Sequence, residues 1–199
     1  MSTLPPPAVT LRHRARLFRR NRHGSAAVEF ALVAPLFFAL LFAMLEYALM
    51  FFAAQVLETA TQDTARLVLT GQAKAGNFDR DKFKEEFCKH IVALFNCETG
   101  IAIDVNAYDS FGAIGPGDLA LPLDKDGNFT GTMRYNPGNQ NQIVVVRVFY
   151  PWQFYVLNLG FDVTNMAGGK RLLMASFAFR NEPFGAGTVT SALPSPSHS

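Results

Sequence analysis

From residue 28 to residue 54 the chain reads VEFALVAPLFFALLFAMLEYALMFFAA. Between Phe30 and Leu45 no side chain is polar. The run exceeds the ~20 residues that a helix needs to cross a bilayer. A core helix of a soluble domain would carry a polar stripe, and this stretch has none. It therefore reads as a transmembrane helix. Pro35 sits inside it, a residue that removes one helical hydrogen bond but that membrane helices tolerate. Glu46 interrupts the run before it resumes at Tyr47.

The flanks set the orientation. Arg12, Arg14, Arg16, Arg19, Arg20 and Arg22 crowd the N-terminal side, and no acidic residue precedes Glu29. The first residues after the run include Glu58 and Asp63 but no Lys or Arg before Arg66. Positive charge stays inside, so the N-terminus is expected in the cytoplasm and the rest exported. A basic block of this kind also suits nucleic acid. Its position against a long apolar run favours the topological role, and no nucleic-acid partner is expected.

The net charge of +2 over 199 residues hides this asymmetry, since everything after the arginine block is acidic. Residues 1–24 form the expected basic, disordered cytoplasmic leader, with Pro5, Pro6 and Pro7 near its start. Residues 25–55 are the expected transmembrane helix, and residues 56–184 an exported α+β domain. Residues 185–199, rich in Gly, Ser, Thr and Pro, form a loose tail.

Within the exported part the first helix has no Gly or Pro before Gly71, so it is expected to run from residue 25 to 70. Val56, Ala60 and Leu67 are its expected inward positions. A second helix is expected over residues 79–95. Phe83, Phe87, Ile91, Leu94 and Phe95 recur there at helical spacing, and Asn77 or Asp79 offers a cap. The period then changes to two. Residues 101–105, 143–150 and 171–180 read as three strands separated by turn-rich segments at 112–117, 124–128 and 136–141. The fold class is α+β: a long helix, a short helix and an antiparallel sheet packed on a helix.

The segment RRNRHGSAAVEFALVAP carries the functional reading. A basic region ends at Gly24, small residues follow from Ser25, and Glu29 stands at the mouth of the apolar helix. A carboxylate at a membrane helix centre costs about 2.5–3.5 kcal/mol, less near the end, so a nearby cation would offset it. Cleavage after Gly24 would create an α-amino group one helical turn from Glu29. On residue chemistry alone a second account stays open, in which Glu29 snorkels to the headgroups or pairs with Arg22. An ordinary secretory signal is disfavoured because the run is longer than the usual apolar region of about 7–15 residues.

The stretch GSAAVEFALVAPL resembles the TadE-like family of tight-adherence (Flp-type) pilus systems, which are type IV pilin-like. The likeness rests on the basic leader, Gly24, the small residues from Ser25 to Val28, the pair Glu29-Phe30 and the early Pro35. The closing RNEP at 180–183 is similar too. The likeness is dense over about thirty residues. It implies cleavage between Gly24 and Ser25 by a prepilin peptidase. It also implies that Glu29, beside Phe30, meets the freed amino terminus of a neighbouring subunit during assembly. The protein would then be a minor pilin or pseudopilin, single-pass in a bacterial inner membrane, its C-terminal domain periplasmic. Its partners would be other pilin subunits, the inner-membrane assembly platform and the peptidase. A membrane-tethered periplasmic binding or adhesion module, not processed as a pilin, is the alternative.

Other candidates carry less. Glu46 either snorkels beside Tyr47 or contacts a polar group on a neighbouring transmembrane helix. Cys88 and Cys97, with no metal-ligand rhythm around them, read as a disulfide in an oxidising compartment, two buried thiols being the alternative. His90 reads as solvated. Asp124-Lys125-Asp126-Gly127-Asn128 lacks the later ligands of a calcium loop and reads as a turn. Tyr150, Trp152, Phe154, Tyr155 and Val156 form an aromatic cluster. It suits core packing, subunit docking or the membrane surface. No GxSxG, HExxH, phosphate loop or Cys/His constellation occurs, so no catalytic residue, metal or cofactor is expected and the protein is not read as an enzyme.

Overall fold

The structure, a computed structural model, describes residues 24–91, 94–154 and 163–184. The arginine block, Tyr155, Val156 and the tail lie outside the described residues. The chain divides into two compact units, Met1–Glu46 and Tyr47–Ser199.

Helix α1 spans Ser25–Leu69. In the first unit it is apolar around its whole circumference, and its large side chains stay exposed. In the second unit one stripe is buried: Met50, Ala53, Leu57, Ala60, Thr61, Thr64, Ala65 and Val68. These recur every three or four residues, the amphipathic period of a helix on a core. Ala60 was an expected inward position, but Val56 and Leu67 are only half-buried. The stripe is rotated because two threonines turn inward. Thr61 donates to the Leu57 carbonyl (2.7 Å) and Thr64 to the Ala60 carbonyl (2.8 Å), so neither hydroxyl is buried unpaired. Gly71, at φ 76°, ends the helix in the left-handed region that glycine tolerates.

A short helix α2 (Gln72–Ala75) leads to α3 (Arg80–Lys89). Asp79 caps α3 by accepting from the Lys82 N–H at 2.8 Å, while Asn77 takes a positive φ instead. Phe83 and Phe87 are fully buried. The helix is shorter than its periodicity suggested, since Ile91, Leu94 and Phe95 fall beyond it. The reason is covalent. Cys88 and Cys97 are bridged, with Cα atoms 5.9 Å apart. A continuous helix would hold positions nine residues apart at about 13 Å. The chain reverses instead, and α4 (Cys97–Gly100) starts with Asn96 as its cap.

Strands β1 (Ala102–Tyr108), β2 (Ile143–Gln153) and β3 (Lys170–Arg180) form one antiparallel sheet in the order β1-β2-β3. Register pairs Val105 with Val146 and Val146 with Phe177. Ile103, Val105, Val144, Val146, Val148, Leu173, Ala175 and Phe179 share one hydrophobic core with the buried stripe of α1 and with Phe83 and Phe87. The opposite face is also covered at β1 and β2, where Asp104, Asn106, Arg147 and Phe149 are buried. The connection 109–142, with its short helix α5 (Pro116–Leu119), supplies contacts there: Phe129 meets Phe149 edge-on, and the Ala120 carbonyl accepts from Arg147. After β3 the Glu182 N–H donates to the Leu69 carbonyl (2.9 Å). That bond fixes the RNEP segment to the end of α1.

Candidate assembly and processing segment

Gly24 is exposed and immediately precedes the first residue of α1. Among the described residues, no atom outside its own neighbours lies within 4 Å of where a Cβ would stand, so the backbone there is open. Ser25 starts the helix and Glu29 follows one turn later, a rise of about 6 Å on the same side. Glu29 and Phe30 are both exposed, Phe30 at 68%. Gly24, Ser25, Glu29 and Phe30 thus sit together at one helix end. The six arginines expected to set topology are outside the described residues.

Glu46 closes the first unit and is half-buried. Between Glu29 and Glu46 the helix rises about 26 Å, close to the thickness of a bilayer's hydrocarbon core. Leu32, Leu36, Phe37, Leu41, Phe42 and Met44 project from all sides of this interval and stay exposed. By length and composition, this helix can cross a membrane. An all-round apolar surface can also pack against similar helices once lipid is displaced.

The α+β unit holds the other candidates. The expected disulfide between Cys88 and Cys97 is present. His90 is exposed at the end of α3. The Asp124 carboxylate accepts from the backbone N–H groups of Asp126 and Asn128 and from the Asn128 side chain. Those bonds hold its carboxyl below the ordinary range, chiefly through the Asn128 N–H, and make the segment a closed polar turn. Among the described residues no group of three His, Cys, Asp or Glu side chains is placed to hold a metal. Tyr150, Trp152 and Phe154 pack against the core: Tyr150 meets Phe95 edge-on and Phe154 meets Tyr47. A cavity of about 240 Å³ lies over the far face of the sheet, lined by Ile101, Phe129, Phe149, Pro151 and Met166 among others.

One feature escaped the sequence reading. Asp104 and Arg147, 1% and 7% exposed, form an ion pair at 2.7 Å. The Asp104 carboxylate also accepts from the Asn106 side chain (2.8 Å) and the Arg134 N–H (2.9 Å), and Arg147 donates to the Ala120 carbonyl (3.1 Å). A buried ion pair persists when such bonds complete it. The available signal was Arg147 alone within the apolar run IVVVRVFY, which demands an acidic partner. Nearby, Arg134 reaches Asp118 at 3.3 Å. The Gly115 N–H and then Arg134 hold the Asp118 carboxyl below its usual range.

No curated protein and no solved structure matches the chain. The family model described as TadE-like protein matches residues 24–66. The match contains Gly24, Ser25, Glu29, Phe30 and Glu46 and ends near the close of α1, and over this segment the chain is similar to TadE-like proteins.

Proposed function

We propose that this chain is a minor pilin or pseudopilin of a tight-adherence (Flp-type) pilus or a related secretion apparatus. It is cut after Gly24 by a prepilin peptidase and assembles through α1 with other pilin subunits on an inner-membrane platform. The arginine block stays cytoplasmic and the α+β unit lies in the periplasm. Its role is structural rather than enzymatic. One observation carries this reading: the family match starts at Gly24, where an open, exposed glycine precedes a helix bearing Glu29 one turn in.

The chemistry follows from that placement. Glycine lets an extended backbone enter a protease cleft without a side-chain clash. Hydrolysis of the Gly24–Ser25 bond leaves a positive amine at the start of α1. The Glu29 carboxylate, costly in lipid, gains a partner when a neighbouring subunit brings its own amine alongside. The apolar surface between Glu29 and Glu46 then packs helix against helix, and Glu46 adds an intramembrane polar contact.

N-terminal sequencing of protein from the membranes of peptidase-containing cells tests the proposal. A start at Ser25 is expected, and Glu29→Gln should retain processing while losing assembly. Recovery of the arginine-bearing full-length chain, together with normal assembly of Glu29→Gln, would overturn it. A second reading, a tethered binding or adhesion module, is favoured by the cavity in the α+β unit. The residues lining it all lie beyond the matched segment.

A further inference from the structure

The two edges of the sheet are treated differently. On β1 the Val105 N–H donates to the Arg134 carbonyl (2.9 Å), and the Val105 carbonyl accepts from the Asn136 N–H (2.8 Å). Residues 134–136 thus strap that edge, forming a parallel bridge between Val105 and Tyr135. Among the described residues, strand β3 has a neighbour on one side only. The Asn181 N–H donates to the carbonyl of Gln142, just before β2, so the odd-numbered residues of β3 aim their backbone groups at β2 and the even-numbered ones aim outward. At the start of the outer edge, Asn165 accepts from the Leu172 N–H, and the Lys170 carbonyl accepts from the Asn165 and Met166 N–H groups. Beyond it, Met174, Ser176 and Ala178 are exposed, and among the described residues their outward N–H and C=O groups have no partner.

Proteins usually blunt such an edge with lysine, proline, a bulge or a cover. Residues 172–179 read LLMASFAF, without a charge or a proline. Cations stand at both ends: Lys170 and Arg171 at one, Arg180 at the other. None of the three is in an ion pair among the described residues; Arg171 donates to the Val163 carbonyl and Arg180 to the Asn141 carbonyl (both 2.9 Å), neutral acceptors that leave both charges uncompensated.

We propose that the outer edge of β3 is a docking strip for an extended segment of a partner protein, uncharged in its middle and acidic at both ends. The segment adds as a fourth strand. Its backbone pairs with Met174, Ser176 and Ala178, and its acidic ends meet Lys170, Arg171 and Arg180. Only an extended peptide satisfies a row of outward N–H and C=O groups at strand spacing. A second copy is a poor occupant. Antiparallel pairing of two β3 edges needs a twofold axis normal to the sheet. That operation sets Lys170 and Arg171 of each copy against Arg180 of the other, and like charges oppose the pairing.

The test uses the full chain in lipid nanodiscs and a ten-residue probe peptide of alternating threonine and valine between terminal aspartates. A lysine-ended counterpart is the control. The aspartate-ended peptide is expected to bind about tenfold more tightly at low salt, with the difference shrinking as salt rises. It should slow amide exchange at Met174, Ser176 and Ala178. Ser176→Pro removes only an outward N–H, which an edge strand tolerates. That variant should unfold at the wild-type temperature and lose the peptide, and Ser176→Lys, which sets a charge on the edge, should lose it too. Equal binding of both peptides, or wild-type binding by both variants, would overturn the proposal. So would protection of these amides without peptide. If that protection vanished on deletion of residues 185–199, the edge would belong to the chain's own tail. If it grew with protein concentration, the edge would belong to a second copy.

Discussion

The two halves of α1 are one helix built for two solvents. From Phe30 to Leu45 the sequence is apolar on every side and the large side chains are exposed. From Tyr47 to Leu69 the composition turns mixed: Gln55, Glu58, Gln62 and Asp63 are exposed, and the stripe from Met50 to Val68 is buried. A helix without a polar stripe has no preferred face, so its surroundings must be apolar all round. A helix with one stripe has a fixed rotation against one core. The first half is therefore suited to lipid or to other apolar helices, while the second is part of a domain.

This contrast can be broken by placing the same charge in each half. Leu57→Asp puts a carboxylate into a fully buried position and should cost more than about 4 kcal/mol, enough to unfold a domain of ordinary stability. Denaturant unfolding followed by the fluorescence of Trp152, the single tryptophan, would report it. Leu41→Asp should leave that transition in place and instead lower membrane integration, at about 2.5–3.5 kcal/mol near the bilayer centre. Equal effects of the two on the transition would erase the distinction.

Charge inside the domain is tolerated only when paired. Arg147→Ala strands Asp104 and should cost about 3–5 kcal/mol. Adding Asp104→Asn should restore part of that loss in the same unfolding assay, because the uncompensated charge is gone. Next in size is the bridge between Cys88 and Cys97. The double replacement by serine should cost about 2–3 kcal/mol, since the bridge closes only a short loop. Thiol titration of the denatured wild type should find no free cysteine until a reductant is added.

A smaller effect is expected at alkaline pH. The Tyr135 hydroxyl is buried without a hydrogen-bond partner among the described residues, and burial pushes its pKa up to about 12 from 10.0. The unfolded chain releases this proton first, so the tyrosine's contribution to stability is complete below pH 10. It declines as pH rises from there through about 12. Tyr135→Phe should flatten that decline, measured as the unfolding midpoint at pH 9 and pH 11. The smallest change expected is Thr64→Val, within about 1 kcal/mol, because the lost hydroxyl bonded only to its own helix.

Much of the fold was legible because its signals are local. The period-two runs located all three strands, and the missing Gly and Pro carried α1 to within a residue of its end at Leu69. Of the expected inward positions of α1, Val56, Ala60 and Leu67, only Ala60 is fully buried, because the buried stripe takes in two threonines. Local carbonyls made Thr61 and Thr64 fit for burial. The end of α3 was misplaced because apolar spacing continues to Phe95, while a long-range constraint, the bridge to Cys97, turns the chain at His90. Glycine, small residues and glutamate in order made the Gly24 segment readable. The β3 edge has no such motif, because its exposure depends on what the rest of the chain leaves uncovered.

The amino-acid order alone determined the apolar span, the charge asymmetry around it and the spacing of Gly24 and Glu29. These depend on residue type and distance along the chain, and no folding partner is needed to define them. Tertiary structure decided which face of α1 is buried, that Asp104 meets Arg147, and that residues 134–136 close one sheet edge while β3, among the described residues, stays open. The physical reason is that burial and backbone pairing are set by neighbours distant in sequence, and only packing decides which neighbours those are.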